Sequence, residues 1–178
     1  MVGRTLPKAL VVGTRILLEP SEGGRELVDK HGYGSHGHQG SLELSSFEAC
    51  YLAEREKIVL QNGREKAISV AAFSKKVLRA DKRAWHRYKV FCVLRDRGYI
   101  VKTALKFGAD FRVYDRGVQP GEDHARWLVY AMPETEAFRW SEFSGKNRVA
   151  HSTKKKLLIG VVDEEGDVSF WECRWLSP

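Results

Sequence analysis

The sequence predicts an α/β protein: an α+β N-terminal domain over residues 1–83, then an α/β domain over 84–178 that carries the candidate chemistry. Three observations predict it. Short β-branched runs alternate with helix-period stretches along the whole chain. The strongest helix signal, Trp85 to Arg97, opens a second half in which strands dominate. With 178 residues the chain is long enough for two small domains, and no internal repeat or low-complexity tract is evident.

The N-terminal half reads as follows. Residues 9–19 are β-branched and apolar and predict a strand or two. Ser21 to Gly24 reads as a turn and Arg25 to Asp29 as a further short strand. His31 to Gly40 holds four glycines and is a loop on composition. Ser41 to Leu44 is a short strand. Ser45 or Ser46 then caps a helix with Phe47, Cys50, Tyr51 and Glu54 at helical spacing. Lys57 to Leu60 is a strand, followed by a turn around Asn62-Gly63. Ser69 to Arg79 is a helix with Val70, Phe73 and Val77 on one face, and Lys75, Lys76, Arg79, Lys82 and Arg83 form a solvated face.

In the second half, Tyr88, Phe91 and Cys92 recur at helical spacing, and Gly98 stands where such a helix ends. Tyr99 to Lys102, Phe111 to Tyr114, Trp127 to Met132, Leu157 to Val162 and Val168 to Trp175 have strand character. Ser141 to Lys155 reads as a helix feeding the fourth of these strands.

Composition excludes several classes. No run approaches the ~18 to 20 apolar residues of a membrane span. The N-terminus lacks the charged, apolar and small-residue order of a secretory leader, so the expectation is a cytoplasmic protein without membrane contact. Cys50, Cys92 and Cys173 are far apart and form no CxxC pair, which predicts neither zinc nor disulfides. His31, His36 and His38 have no carboxylate or cysteine at ligand spacing, and a glycine-rich loop is a poor cage. Asp110, Asp115, Glu122 and Asp123 lack the spacing of a metal-dependent nuclease. The expectation is therefore no metal and no cofactor. The net charge of +7 and a pI near 9.4 favour an anionic partner such as nucleic acid.

One set of residues suits RNA cleavage without metal. The substrate brings its own nucleophile, the ribose 2′-hydroxyl. A base must take its proton, an acid must protonate the leaving 5′-oxygen, and a cation must stabilise the phosphorane. Tyr114 ends a predicted strand, His124 follows a flexible VQPGED loop, and Lys155 precedes the LLIGVV strand. Histidine suits acid catalysis near neutral pH. Tyrosine, with an ordinary pKa of ~10, serves as a base only beside a cation, which Lys155 would supply. Taken singly, each has a plain structural role: a strand tyrosine, a loop histidine, a solvated basic run.

The segments that hold these residues resemble a known family. RVYDRG with a histidine ten residues after the tyrosine, RVAHSTKKKLL, VVDEEGD and the upstream YKVFCVLRDRGYIVKTALKFGADFRVY are similar to the catalytic domain of archaeal tRNA-splicing endonucleases. LSSFEACYLAERE is similar to a helix of that family's N-terminal domain, and only about residues 20–40 diverge. The resemblance implies a tRNA-endonuclease-like catalytic domain with a mixed central sheet flanked by helices. It implies a metal-independent tRNA-intron lyase that cuts precursor tRNA at bulge-helix-bulge sites, leaving 2′,3′-cyclic phosphate and 5′-hydroxyl ends. Tyr114 becomes the general base, His124 the general acid and Lys155 the transition-state stabiliser. Arg148 matches one clamp on an extruded base; Trp175 is the first choice for the second clamp and Trp171 the next. The turn of Asp163, Glu164, Glu165 and Asp167 corresponds to an acidic loop that docks on another subunit. A homotetramer, or a heterotetramer with a non-catalytic paralogous subunit, follows. Two other classes stay open: a structural subunit that holds RNA without cutting it, and a metal-dependent nuclease of related fold.

Overall fold

The computed structural model describes residues 5–176. Residues 1–4, where the expectation about a leader begins, and residues 177–178 lie outside the described residues. The chain divides into two units, Met1–Ala80 and Asp81–Pro178.

The first unit is built on a five-stranded sheet. In chain order its elements are β1 (Lys8–Val12), β2 (Arg15–Leu18), α1 (Glu22–Asp29), β3 (Ser35–His36), β4 (Leu42–Leu44), α2 (Ser46–Glu54), β5 (Val59–Asn62) and α3 (Val70–Leu78). The strand order is β3-β4-β2-β1-β5, antiparallel except for β1 beside β5. Ala9, Ile16, Leu18, Leu42, Leu44 and Leu60 supply the buried side of the sheet. α2 starts with a full capping box, Ser45 and Glu48 each accepting from the other's backbone N–H.

Two expectations are corrected here. Ser21 to Asp29 is not a turn and a strand; it is helix α1, with the Ser21 hydroxyl accepting from the Gly24 N–H at the N-cap. Gly23 and Gly24 masked the helix signal, and Gly24 is required by packing rather than flexibility: a Cβ there would lie 2.0 Å from the Glu19 carbonyl oxygen. The His31 to Gly40 loop contains strand β3 and a single 3₁₀ turn, His38–Gly40. It is held down by the buried Glu48, whose Oε1 accepts from the Gly34 N–H at 2.8 Å, and by a hydrogen bond between the His36 ring and the Asp29 carboxylate at 3.0 Å.

The second unit holds α4 (Ala84–Asp96), β6 (Ile100–Ala104), β7 (Ala109–Tyr114), β8 (Trp127–Pro133), α5 (Trp140–Ser152), β9 (Lys156–Val162) and β10 (Val168–Cys173). Its sheet order is β10-β9-β8-β7-β6, mixed because β8 and β9 alone run parallel, joined by the α5 crossover. α4 covers one face, with Phe91 against Phe111 at 5.9 Å between ring centroids. α5 covers the other, with Ala150, Phe143 and Val149 on a cluster of Leu128, Tyr130, Leu157 and Ile159. Central β8 is buried on both faces through Met132 and reads as an unbroken apolar run for that reason.

Both helices end in the same hydrogen-bond pattern. At the end of α4, Gly98 donates to Arg95 and Tyr99 to Leu94. At the end of α5, Lys154 donates to His151 and Lys155 to Ala150. Each is a Schellman motif, which places one residue in the left-handed region. Gly98 takes it at φ 85° in the first, and Lys154 at φ 56° in the second. The helix expected to run to Lys155 therefore stops at Ser152, three residues earlier.

No helix among the described residues is long and apolar enough to cross a membrane.

Candidate active site

Sheet register gathers the candidate residues at one end of the second unit. Val113, Trp127 and Lys156 form one line across β7, β8 and β9. Tyr114 lies one residue beyond that line at the end of β7, and Lys155 one residue before it at the start of β9. The line is sealed by hydrogen bonds from the Arg126 N–H to the Val113 carbonyl and from the Lys156 N–H to the Arg126 carbonyl, 2.8 and 2.9 Å. Side chains alternate between faces along a strand. Tyr114 therefore shares a face with Arg112, which is paired with Leu128, and Lys155 shares one with Leu157. Leu128 and Leu157 both lie in the cluster under α5, so all three side chains belong to the α5 face.

There they line a cavity of about 400 Å³ with Phe107, Gly121, Glu122, Asp123, His124 and Ala125. Tyr114 is buried against Ile100 and Ala125. His124 stands exposed on the β7–β8 loop, which is braced by bonds within itself: the Gln119 N–H donates to Glu122 and the His124 N–H to Asp123. Lys155 is half-buried. Its Nζ donates to the Thr153 carbonyl at 2.9 Å and lies 5.3 Å from the Phe107 ring centroid. The three neighbouring lysines thus have separate surroundings. Lys154 is exposed, Lys155 lines the cavity, and Lys156 pairs with Glu172.

Glu172 ties the edge of this site together. It accepts from the Trp127 indole at 2.8 Å and pairs with Lys156 and Arg174, joining β8, β9 and β10. The Trp127 hydrogen bond, helped by those from Arg174 and Lys156, holds its carboxyl down at about 2. At the opposite end of the sheet, burial pushes Asp110 above the ordinary carboxylate range, although it accepts from the Ala131 N–H and lies near Arg87. Asp110 is remote from the cavity in the register, Asp115, the residue after Tyr114, pairs with Arg126, and Cys50, Cys92 and Cys173 form no disulfide. Among the described residues no three His, Cys, Asp or Glu side chains are grouped to hold a metal ion.

The other sequence-selected residues lie outside the cavity. Arg148 is exposed on α5, and the ring of His151, one turn on, stacks on Trp175 at 5.9 Å. Trp171, more than half exposed, sits on edge strand β10 opposite Ile159 and so on the α5 face as well. Asp163, Glu164, Glu165 and Asp167 form the β9–β10 turn, closed by the Asp167 N–H donating to the Asp163 carboxylate. None of the four makes an ion pair among the described residues.

Three contributors were missed in the sequence. Arg112 was legible, since a residue two before Tyr114 on a strand must share its face. His151 was legible as the helical neighbour of Arg148. Phe107 was not: it arrives on the short 3₁₀ turn after β6, for which no local pattern speaks.

Lys154 supplies a check on this local geometry. A side chain in the left-handed region is strained, and glycine is not. Lys154→Gly is expected to raise unfolding stability by roughly 0.5–1 kcal/mol in urea titrations. A loss of stability would mean that the fold uses the Lys154 side chain and not only its backbone.

The sequence comparisons agree on one family. Residues 84–170 match the tRNA intron endonuclease catalytic C-terminal domain, and residues 8–74 match the tRNA intron endonuclease N-terminal domain. The chain is 44% identical to a tRNA-splicing endonuclease of Nanoarchaeum equitans over 142 residues, 76% of this chain and 90% of that one. It is 38% identical to a tRNA-splicing endonuclease of Thermococcus onnurineus over 166 residues, 93% of this chain and 94% of that one. Against a tRNA-splicing endonuclease of Pyrococcus furiosus the identity is 36% over 174 residues, 97% and 98% of the two chains. The chain belongs to the tRNA intron endonuclease family and carries both of its domains, including the catalytic one.

Proposed function

We propose that this enzyme removes introns by cutting precursor tRNA at bulge-helix-bulge splice sites, without a metal ion, leaving 2′,3′-cyclic phosphate and 5′-hydroxyl ends. The observation that carries the reading is the shared cavity: a phenol, an imidazole and an ammonium, from three chain segments, at one end of one sheet. Tyr114 takes the proton of the ribose 2′-hydroxyl, whose oxygen attacks the adjacent phosphorus. The bond to the 5′-oxygen breaks, and His124 protonates that oxygen as it leaves. Lys155 stabilises the extra negative charge at phosphorus. The surroundings suit these tasks. Tyr114 is the buried member, lining the same cavity as Lys155, whereas His124 is exposed on a loop where a leaving group can reach it.

Outside the cavity, Arg148 and Trp175 would clamp a base extruded from the bulge, with Trp171 as the second candidate for the aromatic side. The ring stack of Trp175 on His151 supports Trp175, because it fixes an indole one helical turn from Arg148. A cation and an indole hold an unpaired base through its π-face, with little demand on its identity. Such an enzyme reads the shape of an RNA whose A-form major groove is closed to side chains. It would work beside its substrate in the cytoplasm.

We also propose that the acidic turn docks on another subunit of a four-chain assembly. The four acids carry no intramolecular ion pair among the described residues, in a protein of net charge +7. The assembly is a homotetramer if the chain cleaves alone, and a heterotetramer with a non-catalytic paralogue if a second polypeptide is required.

Two experiments test these readings. With EDTA present, the parent enzyme should cleave a bulge-helix-bulge RNA at an undiminished rate. His124→Ala should lower the single-turnover rate by ~10² or more with RNA affinity retained. Activity abolished by chelation would indicate a metal-dependent nuclease, and equal loss of binding would make His124 structural. Changing Asp163 and Asp167 to Asn and Glu164 and Glu165 to Gln keeps the acceptor that closes the turn but removes the charge. The mass in solution should then fall towards that of a dimer, and an unchanged mass would remove the docking loop.

A further inference from the structure

The cavity contains a cation to which the proposed reaction gives no task. Arg112 lines it, half-buried on β7, two residues before Tyr114. Its Nε is shut off from solvent and has no hydrogen-bond partner. Among the described residues its guanidinium makes no hydrogen bond or ion pair, and its one contact of note is with the Tyr114 ring, 5.9 Å from the centroid. The nearby carboxylates are committed elsewhere. Glu122 and Asp123 accept from loop N–H groups, and Asp115 pairs with Arg126. Directly across the ladder, on the same face, stands Lys102.

This arrangement costs stability. A guanidinium donor removed from water without an acceptor forfeits its hydration. An anion entering the cavity would give the guanidinium an acceptor, and a phosphodiester is the anion that the cleavage reading brings there.

We propose that Arg112 is a substrate-phosphate ligand, donating paired hydrogen bonds to the non-bridging oxygens of the phosphate that is cut. The inference rests on the reading of the cavity as the cleavage site. Lys155 offers a single ammonium, already bonded to the Thr153 carbonyl. Arg112 offers a planar fork of fixed geometry, which matches two oxygens of one phosphate and sets the phosphorus at a defined place relative to Tyr114 and His124. Arg112 would therefore hold the phosphate while the other three groups move protons or meet developing charge.

The test compares the parent, Arg112→Gln, Arg112→Ala and His124→Ala on one bulge-helix-bulge RNA in EDTA under single-turnover conditions. Both Arg112 variants should cleave ~10² to 10³ slower, the scale of losing one donor aimed at developing charge. Their melting temperature should be unchanged or higher, since a buried donor without an acceptor is gone. The slope of log affinity against log salt should shrink by roughly 0.7–0.9, one phosphate contact. Added millimolar guanidinium should restore part of the activity of Arg112→Ala and none of that of His124→Ala. Arg112 variants that cleave as fast as the parent overturn the proposal while leaving the cleavage reading intact. So does slow cleavage that comes with a lower melting temperature, an unchanged salt slope and no rescue, because Arg112 would then be structural. A parent that cleaves no such RNA, alone or with a second subunit, overturns both readings.

Discussion

The parallel pairing of β8 with β9 is the constraint on which the candidate site depends. An antiparallel return would have put the start of β9 at the far end of the sheet. A parallel pair needs a crossover, α5 provides it, and β9 then begins beside the beginning of β8. Because β7 runs antiparallel to β8, it ends at that same edge. The end of one strand, the loop after it and the end of a helix thus converge without any of them being specialised for contact. One residue of slippage in either ladder would turn Tyr114 or Lys155 to the α4 face. The buried run of β8 and the Trp127–Glu172–Lys156 tie hold the register against that.

Electrostatics gives the edge two characters. Cations that pair within the protein, Lys156, Arg174 and Arg126, lie outside the cavity with Glu172 and Asp115. Lys155 and Arg112 line the cavity without a carboxylate partner among the described residues. The division is what a site for a polyanion requires: paired charges make the frame, and charges left for the ligand stand inside it. The acidic β9–β10 turn is the complement, four carboxylates without an ion pair among the described residues.

Much of this was legible because local signals and tertiary demands coincided. The alternation in Phe111 to Tyr114 announced a strand ending in a tyrosine, and Gly98 announced the end of α4 by the usual left-handed residue. Ser45 and Ser46 announced the start of α2 as candidate caps, and Ser45 is the one that caps it. Where a local signal misled, packing had overridden propensity. Gly23 and Gly24 hid α1, and at Gly24 a close approach to Glu19, and not a turn, demands glycine. Lys154 hid the end of α5 because a lysine occupies a position that glycine usually marks. Arg112 was passed over for another reason: nothing in the local sequence reveals that an arginine will lack an acceptor. That emerges only when every neighbouring carboxylate is seen to be engaged.

The central claim is that the cavity acts on a ribose whose own 2′-hydroxyl is the nucleophile. The most direct measurement is cleavage, in EDTA, of a bulge-helix-bulge RNA carrying a single 2′-deoxyribose on the 5′ side of the cut phosphate. The account predicts that this RNA binds as tightly as the all-ribose strand and is not cleaved at that phosphate. Cleavage there at an ordinary rate would mean that water or a protein group attacks phosphorus, and would contradict the roles given to Tyr114, His124 and Lys155.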